Sequence, residues 1–229
     1  MRAADDAVIL KRLVRGVARK HGVAASFMAK PYQEHSGNGF HIHMSLIDGE
    51  GRNVFDNGSA EGTPLLRHAI AGCLATMAPM ALVFAPHLNS YRRLTPGAHA
   101  PVSIAWAYEN RFAAIRVPGG SPKARRFEHR VAGADANPYL VIAAILGGAL
   151  QGIEGEMQPP DPIPGMAAVE EGETIPDTWA RAIEAFPSDG GGIFAPELAA
   201  VFKDMKAQEM LRFSERMSDF EIQTYLEIV

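Results

Sequence analysis

Cysteine is almost missing from this 229-residue chain, in which Cys73 stands alone. One thiol cannot close an internal disulfide, so a cross-linked secreted scaffold is excluded and a reducing, cytoplasmic setting is expected. Cys73 falls in an apolar helical pattern and reads as a small core residue, not a nucleophile. Long hydrophobic runs are missing too, since no stretch approaches the ~20 apolar residues that a membrane span needs. The opening "MRAADDAVILKR" puts acids where an export signal would carry its apolar centre. Positive charge is not in excess either. With 22 Lys and Arg against 26 Asp and Glu, the formal charge is −4, and nothing draws the chain toward nucleic acid or an anionic membrane. No internal repeat or low-complexity segment is visible. What remains is 47% hydrophobic, enough to bury roughly 70–75% of the unfolded surface in one domain.

Hydrophobic periodicity divides that domain into a site-bearing part over 1–155, a connecting loop over 156–176 and C-terminal helices over 177–229. Ile9, Leu10, Leu13, Val14 and Val17 form the apolar stripe of an opening helix closed by His21-Gly22. "AASFMAK" reads as a short strand before a Gly/Ser loop. Thr63-Pro64 and Asn137-Pro138 each supply an N-cap and a first helical residue. The second of these opens a strongly apolar helix. "HLNSYRRLTPGAHAP" is too polar and too broken by Pro and Gly for regular structure. "VSIAWAY", "FAAIRVP" and "RRFEHRV" read as strands. The five prolines within 155–176 point to an exposed crossing, and Ser218 with Glu221 forms a capping box.

Two strands have an unusual wet face. In "GNGFHIHMSL", period two sends Phe40, Ile42, Met44 and Leu46 one way and His41, His43 and Ser45 the other. Ordinary half-buried strands carry Lys, Glu or Thr there, so two imidazoles beside glycines suggest the lining of a cavity. "RRFEHRV" alternates likewise, with Arg126, Glu128 and Arg130 opposite Phe127, His129 and Val131. On one antiparallel sheet these residues would meet over a shared space. His plus Glu suits a divalent metal, and neighbouring Arg suits oxyanions. Arg92, Arg93, Arg111, Arg116, Arg125, Arg126 and Arg130 fall within 39 residues. Arg92 and Arg125 read as solvated; the others point to a phosphate or carboxylate partner, because planar guanidinium forks grip oxyanions bidentately. Together these types suggest phosphoryl transfer. Two ligands do not hold a metal, and the "EGE" triplets at 154–156 and 171–173 read as a helix end and a loop.

At these residues the chain resembles the C-terminal part of the catalytic domain of glutamine synthetases. "KPYQEHSGNGFHIHMSL", "NSYRRLTPGAHAP", "ENRFAAIRVPGGSPKARRFEHRV" and "DANPYLVIAAILGGALQGI" occur in that family's order and spacing. The wording is most similar to the subgroup that joins glutamate to polyamines such as putrescine. The resemblance implies an α+β fold with a curved antiparallel sheet backed by helices. It implies an ATP-dependent ligase using Mg²⁺ or Mn²⁺, with glutamate, ATP and ammonia or a larger amine as substrates and a γ-glutamyl phosphate between them. Carried over by position, His41 and Glu128 correspond to metal ligands, while His43, Ser45, Arg111, Arg116, Lys123 and Arg126 correspond to nucleotide and phosphate contacts. Arg93, Arg130 and Gly37 correspond to glutamate contacts. Arg93, His99, Arg111 and Arg130 take the catalytic places.

Two departures follow from the same match. His99 stands where ammonia users carry a glutamate, which implies a larger amine, and Ser36 stands where Asn is usual. The family's complete chain is about twice this length and forms homo-oligomeric rings. Its N-terminal β-grasp domain and Glu-x-Glu strand have no counterpart here, so the resemblance implies that these residues alone are inactive. A non-catalytic assembly or interaction module is the alternative reading.

Overall fold

Alternation decides the centre of the fold. In the computed structural model, which describes residues 1–98, 100–165 and 172–229, four short strands form one sheet. They are β1 (Ile42–Met44), β2 (Trp106–Tyr108), β3 (Ile115–Val117) and β4 (Phe127–His129), in the order β1-β4-β3-β2. The register sets His43 opposite Glu128 and Glu128 opposite Arg116, so one face carries a charged row. The next row, Ile42, His129 and Ile115, points to the other face. Phe127, Ile115 and Trp106 are buried there, with Phe55 tilted against Phe127 at 6.3 Å and Phe84 against His129 at 4.6 Å.

The helices are α1 (Arg2–Lys20), α2 (Pro64–Ala75), α3 (Ala81–Phe84), α4 (Pro138–Glu154), α5 (Trp179–Ala185), α6 (Pro196–Ser214) and α7 (Asp219–Tyr225). Of these, α2 to α6 share one hydrophobic core with that apolar face, whereas α1 buries only Ala4 and lies against α4, and α7 buries no side chain. The caps fall where the sequence puts them. Thr63 Oγ1 accepts from the Leu66 amide, Asn137 Oδ1 from the Tyr139 amide, and Ser218 with Glu221 closes a reciprocal box. The tightest seam joins α2 to α4. A Cβ on Gly72 would lie 2.0 Å from the Gly148 carbonyl oxygen, and one on Gly152 would lie 2.1 Å from that of His68. Only glycine permits backbones this close. Cys73 is buried beside the seam, and burial pushes its thiol up to about 12, as suits a core residue.

The chain adopts the α+β class, with several differences in detail. The sheet is not wholly antiparallel, since β2 runs parallel to β3. Parallel neighbours usually need a crossover of a dozen or more residues, and here residues 109–114 suffice. The turn is made by Glu109, whose φ of 59° is left-handed. "AASFMAK" forms no strand, although its Met28 and Ala29 carbonyls accept from Asn38. Leu88–Arg92, read as irregular, makes a 3-10 turn. Arg125 is buried, not solvated, and donates to the Ser59 carbonyl at 2.9 Å. Ile9, Leu10 and Leu13 on α1 are more than half exposed. The connecting loop is fastened to the segment just ahead of β2, where the Ile104 amide donates to Glu173 O and the Ile175 amide to Val102 O. Residues 166–171, which include part of the second "EGE", lie outside the described residues, while Glu154 and Glu156 are exposed at the end of α4. No described helix is long and apolar enough to cross a membrane.

Candidate active site

The polar face converges on Glu128. Its side chain is about 5% exposed, and Arg130 Nη1 donates to Oε1 at 2.8 Å while Arg116 Nη1 donates to Oε2 at 3.0 Å. His41 Nδ1 lies 3.0 Å from Oε1 and His43 Nε2 lies 3.7 Å from it. Burial by itself would raise the Glu128 pKa. The hydrogen bonds from His41 and Arg130, with their charges, outweigh it and hold the carboxyl at about 2. A buried carboxylate therefore stays ionised at every physiological pH. Burial lowers the His43 pKa against the pull of Glu128. Arg126 Nε donates to His43 Nδ1 at 3.1 Å, so the imidazole is neutral with its proton on Nε2.

Two cavities flank this cluster. One of about 410 Å³ is lined by Gly37, Gly39, His41, Arg93, Arg130 and residues of the 30–36 segment. Gly37 admits no side chain, because a Cβ there would stand 2.7 Å from the Ala29 carbonyl oxygen and 3.0 Å from Arg93 Cγ. Arg93 is buried, and its guanidinium donates to Val131 O at 2.7 Å and Arg130 O at 3.2 Å, which ties the end of β4 to the cavity wall. Burial lowers its pKa to about 10, still a cation. Ala98 and Ala100 line the same cavity; His99 between them lies outside the described residues. The second cavity, about 670 Å³, is lined by Ser45, Asn53, Lys123 and Arg126 among others. It reaches the cluster through Arg126 and His43.

The sequence-selected residues that are described thus gather into one place, with one exception. Arg111 is exposed beyond β2 and makes no hydrogen bond or ion pair with the cluster's side chains among the described residues. Two features escape sequence reading. Glu109 Oε2 accepts from Arg116 Nη2 at 3.1 Å, so Arg116 bridges two carboxylates. Its own Nε, like that of Arg130, is buried without a partner, and orphaned buried donors of this kind call for an acceptor. The other feature is the 30–38 loop at the first cavity, tied at its two ends by Asn89 and Asn38.

The donor chemistry fits part of a metal site. Two ligands of one ion at about 2.1 Å stand about 3 Å apart across a right angle, and His41 Nδ1 and Glu128 Oε1 are 3.0 Å apart. Carboxylate with imidazole suits Mn²⁺ or Mg²⁺ better than a thiolate-seeking metal. Among the described residues, however, no three His, Cys, Asp or Glu side chains come together as a complete set. Further donors are needed from substrate, water or other segments.

A family model described as the glutamine synthetase catalytic domain matches residues 1–225. This chain belongs to the glutamine synthetase family. It is 40% identical over 99% of its length to gamma-glutamylputrescine synthetase PuuA of Escherichia coli, covering 48% of that protein. It is 36% identical to the glutamate–isopropylamine ligase of a Pseudomonas species over its full length and 51% of the relative. Against a glutamine synthetase of Thermotoga maritima it is 35% identical, over 99% of this chain and 54% of the other. A solved structure described as apo GmaS without ligand superimposes with a TM-score of 0.87 at 32% identity, covering 98% of this chain and 53% of that one. The chain therefore spans about half the length of the relatives it matches, which are ligases of the glutamine synthetase type.

Proposed function

We propose that these residues are the substrate-handling half of an ATP-dependent ligase that joins the γ-carboxylate of glutamate to an amine through γ-glutamyl phosphate. The observation that carries this is the ionised, buried Glu128 held between His41, His43, Arg116 and Arg130, with a cavity on either side. Two cavities meeting at one charged cluster suit a transfer between two substrates. In this reading Gly37, Arg93 and Arg130 hold glutamate, and His99 acts beside them on the amine. Ser45, His43, Lys123 and Arg126 line the nucleotide side, with Arg111 and Arg116 on its phosphates. The orphaned Nε groups of Arg116 and Arg130 point to anionic oxygens as the missing partners.

His41 and Glu128 would hold one edge of a Mg²⁺ or Mn²⁺ site. When bound, such an ion would neutralise phosphate charge as the γ-phosphoryl group moves. The chain's own residues do the rest. Arg93 and Arg130 orient the γ-carboxylate, and Arg116 and Arg126 screen the phosphates from one another. A γ-carboxylate oxygen bonds to the γ-phosphorus as its bond to ADP breaks. The amine nitrogen then bonds to the γ-carboxyl carbon, the carbon–oxygen bond to phosphate breaks, and the nitrogen's surplus protons leave. The names of the relatives, with putrescine and isopropylamine among their amines, favour an organic amine over ammonia. The complete protein would work as a cytoplasmic homo-oligomer. Among the described residues no third metal donor joins His41 and Glu128 in a complete set, and these residues alone should give no turnover.

The test is a product assay on the complete protein with glutamate, Mg-ATP and a panel of amines including ammonium. The reading expects one ADP per γ-glutamylamide and the highest kcat/KM for an organic amine. ATP hydrolysis without amide, or no reaction with any amine, would overturn it. A preference for ammonium would overturn the amine assignment alone.

A further inference from the structure

Among the described residues, the first cavity is lined by three cations, Lys30, Arg93 and Arg130, and by a single carboxylate, Glu34. The loop that carries Glu34 is tied at its base. Asn89 grips both backbone groups of Lys30, accepting from its amide at 2.9 Å and donating to its carbonyl at 2.9 Å. Asn38 closes the other end, its amide donating to Ala29 O and its side chain to Met28 O, both at 2.8 Å. Within the loop, Lys30 Nζ donates to the His35 carbonyl, and the Tyr32 and His35 rings meet edge-on at 5.6 Å. Glu34, which lies between Tyr32 and His35 in sequence, is exposed and makes no hydrogen bond or ion pair among the described residues. A fastened loop thus presents one unspent negative charge at the rim of an otherwise cationic cavity.

We infer that Glu34 selects the amine by pairing with its non-reacting ammonium, and that the favoured nucleophile is therefore a diamine. This rests on the ligase reading above. The reacting nitrogen must shed its proton before it attacks, so it cannot keep an ion pair through the reaction. A second ammonium on the same molecule can. The buried guanidiniums at the floor, Arg93 and Arg130, match the carboxylates of glutamate. The exposed rim meets whatever enters over it, and a carboxylate there attracts a cation and repels a second dicarboxylate. The alternative target, the α-ammonium of glutamate, makes a different kinetic prediction.

The experiment uses the complete protein with Glu34→Gln and Glu34→Asp. It measures KM for an α,ω-diamine, for the monoamine of equal carbon length and for glutamate. We expect Glu34→Gln to raise the diamine KM about tenfold, or about 1.4 kcal/mol, while the monoamine and glutamate KM stay within about twofold. Glu34→Asp should recover most of the loss, since it keeps the charge. An equal rise for the monoamine, a rise confined to glutamate, or no change in any KM would overturn the assignment. If the wild type makes no amide with any amine, the ligase reading falls first and this inference with it, an outcome visible before any variant is made.

Discussion

Two carboxylates in this protein are about equally hidden yet do opposite work. The side chains of Glu128 and Asp135 are 5% and 10% exposed. Asp135 Oδ2 accepts from Ser90 Oγ at 2.6 Å and lies 3.0 Å from His87 Nδ1. That pair latches the 3-10 turn at Leu88–Arg92 to the segment leading into α4. Arg93 follows the turn directly, so the Asp135 latch holds the frame of the cavity without touching its lining. Glu128, by contrast, is met by two guanidiniums as well as two imidazoles, and each guanidinium keeps a buried Nε without a partner. Burial of a charge does not mark a site. Exposure of a partner imidazole does not mark it either, since His87 beside Asp135 is 37% exposed. What marks it here is two guanidiniums whose buried Nε groups still lack an acceptor.

The comparison can be broken in order of expected effect. Glu128→Gln in the complete protein leaves Arg116 and Arg130 without their shared anion and removes a metal donor. Turnover should fall by about a thousandfold or more, in the range of losing a principal electrostatic group. A loss under tenfold would put Glu128 in the same class as Asp135. Asp135→Asn should do the reverse. Loss of a buried charge-assisted latch costs about 1–3 kcal/mol, or roughly 3–10 °C in Tm, while kcat stays within about threefold.

The acid limb sharpens the second result. Burial alone would raise the Asp135 pKa, but the hydrogen bonds from His87 and Ser90 hold it below the ordinary 3.8. A carboxylate depressed in the folded state contributes stability in full above its unfolded pKa and loses it as pH falls through the folded one. Asp135→Asn should therefore flatten the part of the stability profile that lies below about pH 4. An unchanged profile there would mean that the latch carries no charge-dependent stability. The smallest effect belongs to Glu109→Gln. Glu109 is half exposed, so loosening Arg116 on that side should raise the ATP KM by about two- to threefold with Tm unchanged. Rescue by Glu109→Asp would show positioning, and a Tm loss instead would assign Glu109 to the turn.

The charged row was legible because a strand's period of two depends only on neighbours along the chain. His41, His43, Glu128 and Arg130 could each be placed on a face before any partner was known. The caps at Thr63 and Asn137 were legible for the same local reason. Arg125 was misread because its burial depends on Ser59, far away in sequence. The parallel pairing of β2 with β3 was hidden by one left-handed residue, Glu109, at a position where composition gives no warning. Asn38 and Asn89 carry no motif, so the tied loop beneath Glu34 could not be seen until both its ends were placed.

The most direct measurement follows oxygen. With glutamate carrying ¹⁸O in its γ-carboxylate, attack on the γ-phosphoryl group of ATP and later displacement by amine must leave one labelled oxygen in each phosphate released. The complete protein should transfer one label per turnover in the wild type and in Asp135→Asn, with Glu128→Gln slowing transfer by the same factor as amide formation. Phosphate that emerges unlabelled while amide is made, or label transfer that survives Glu128→Gln undiminished, would contradict the placing of this chemistry on the polar face of the sheet.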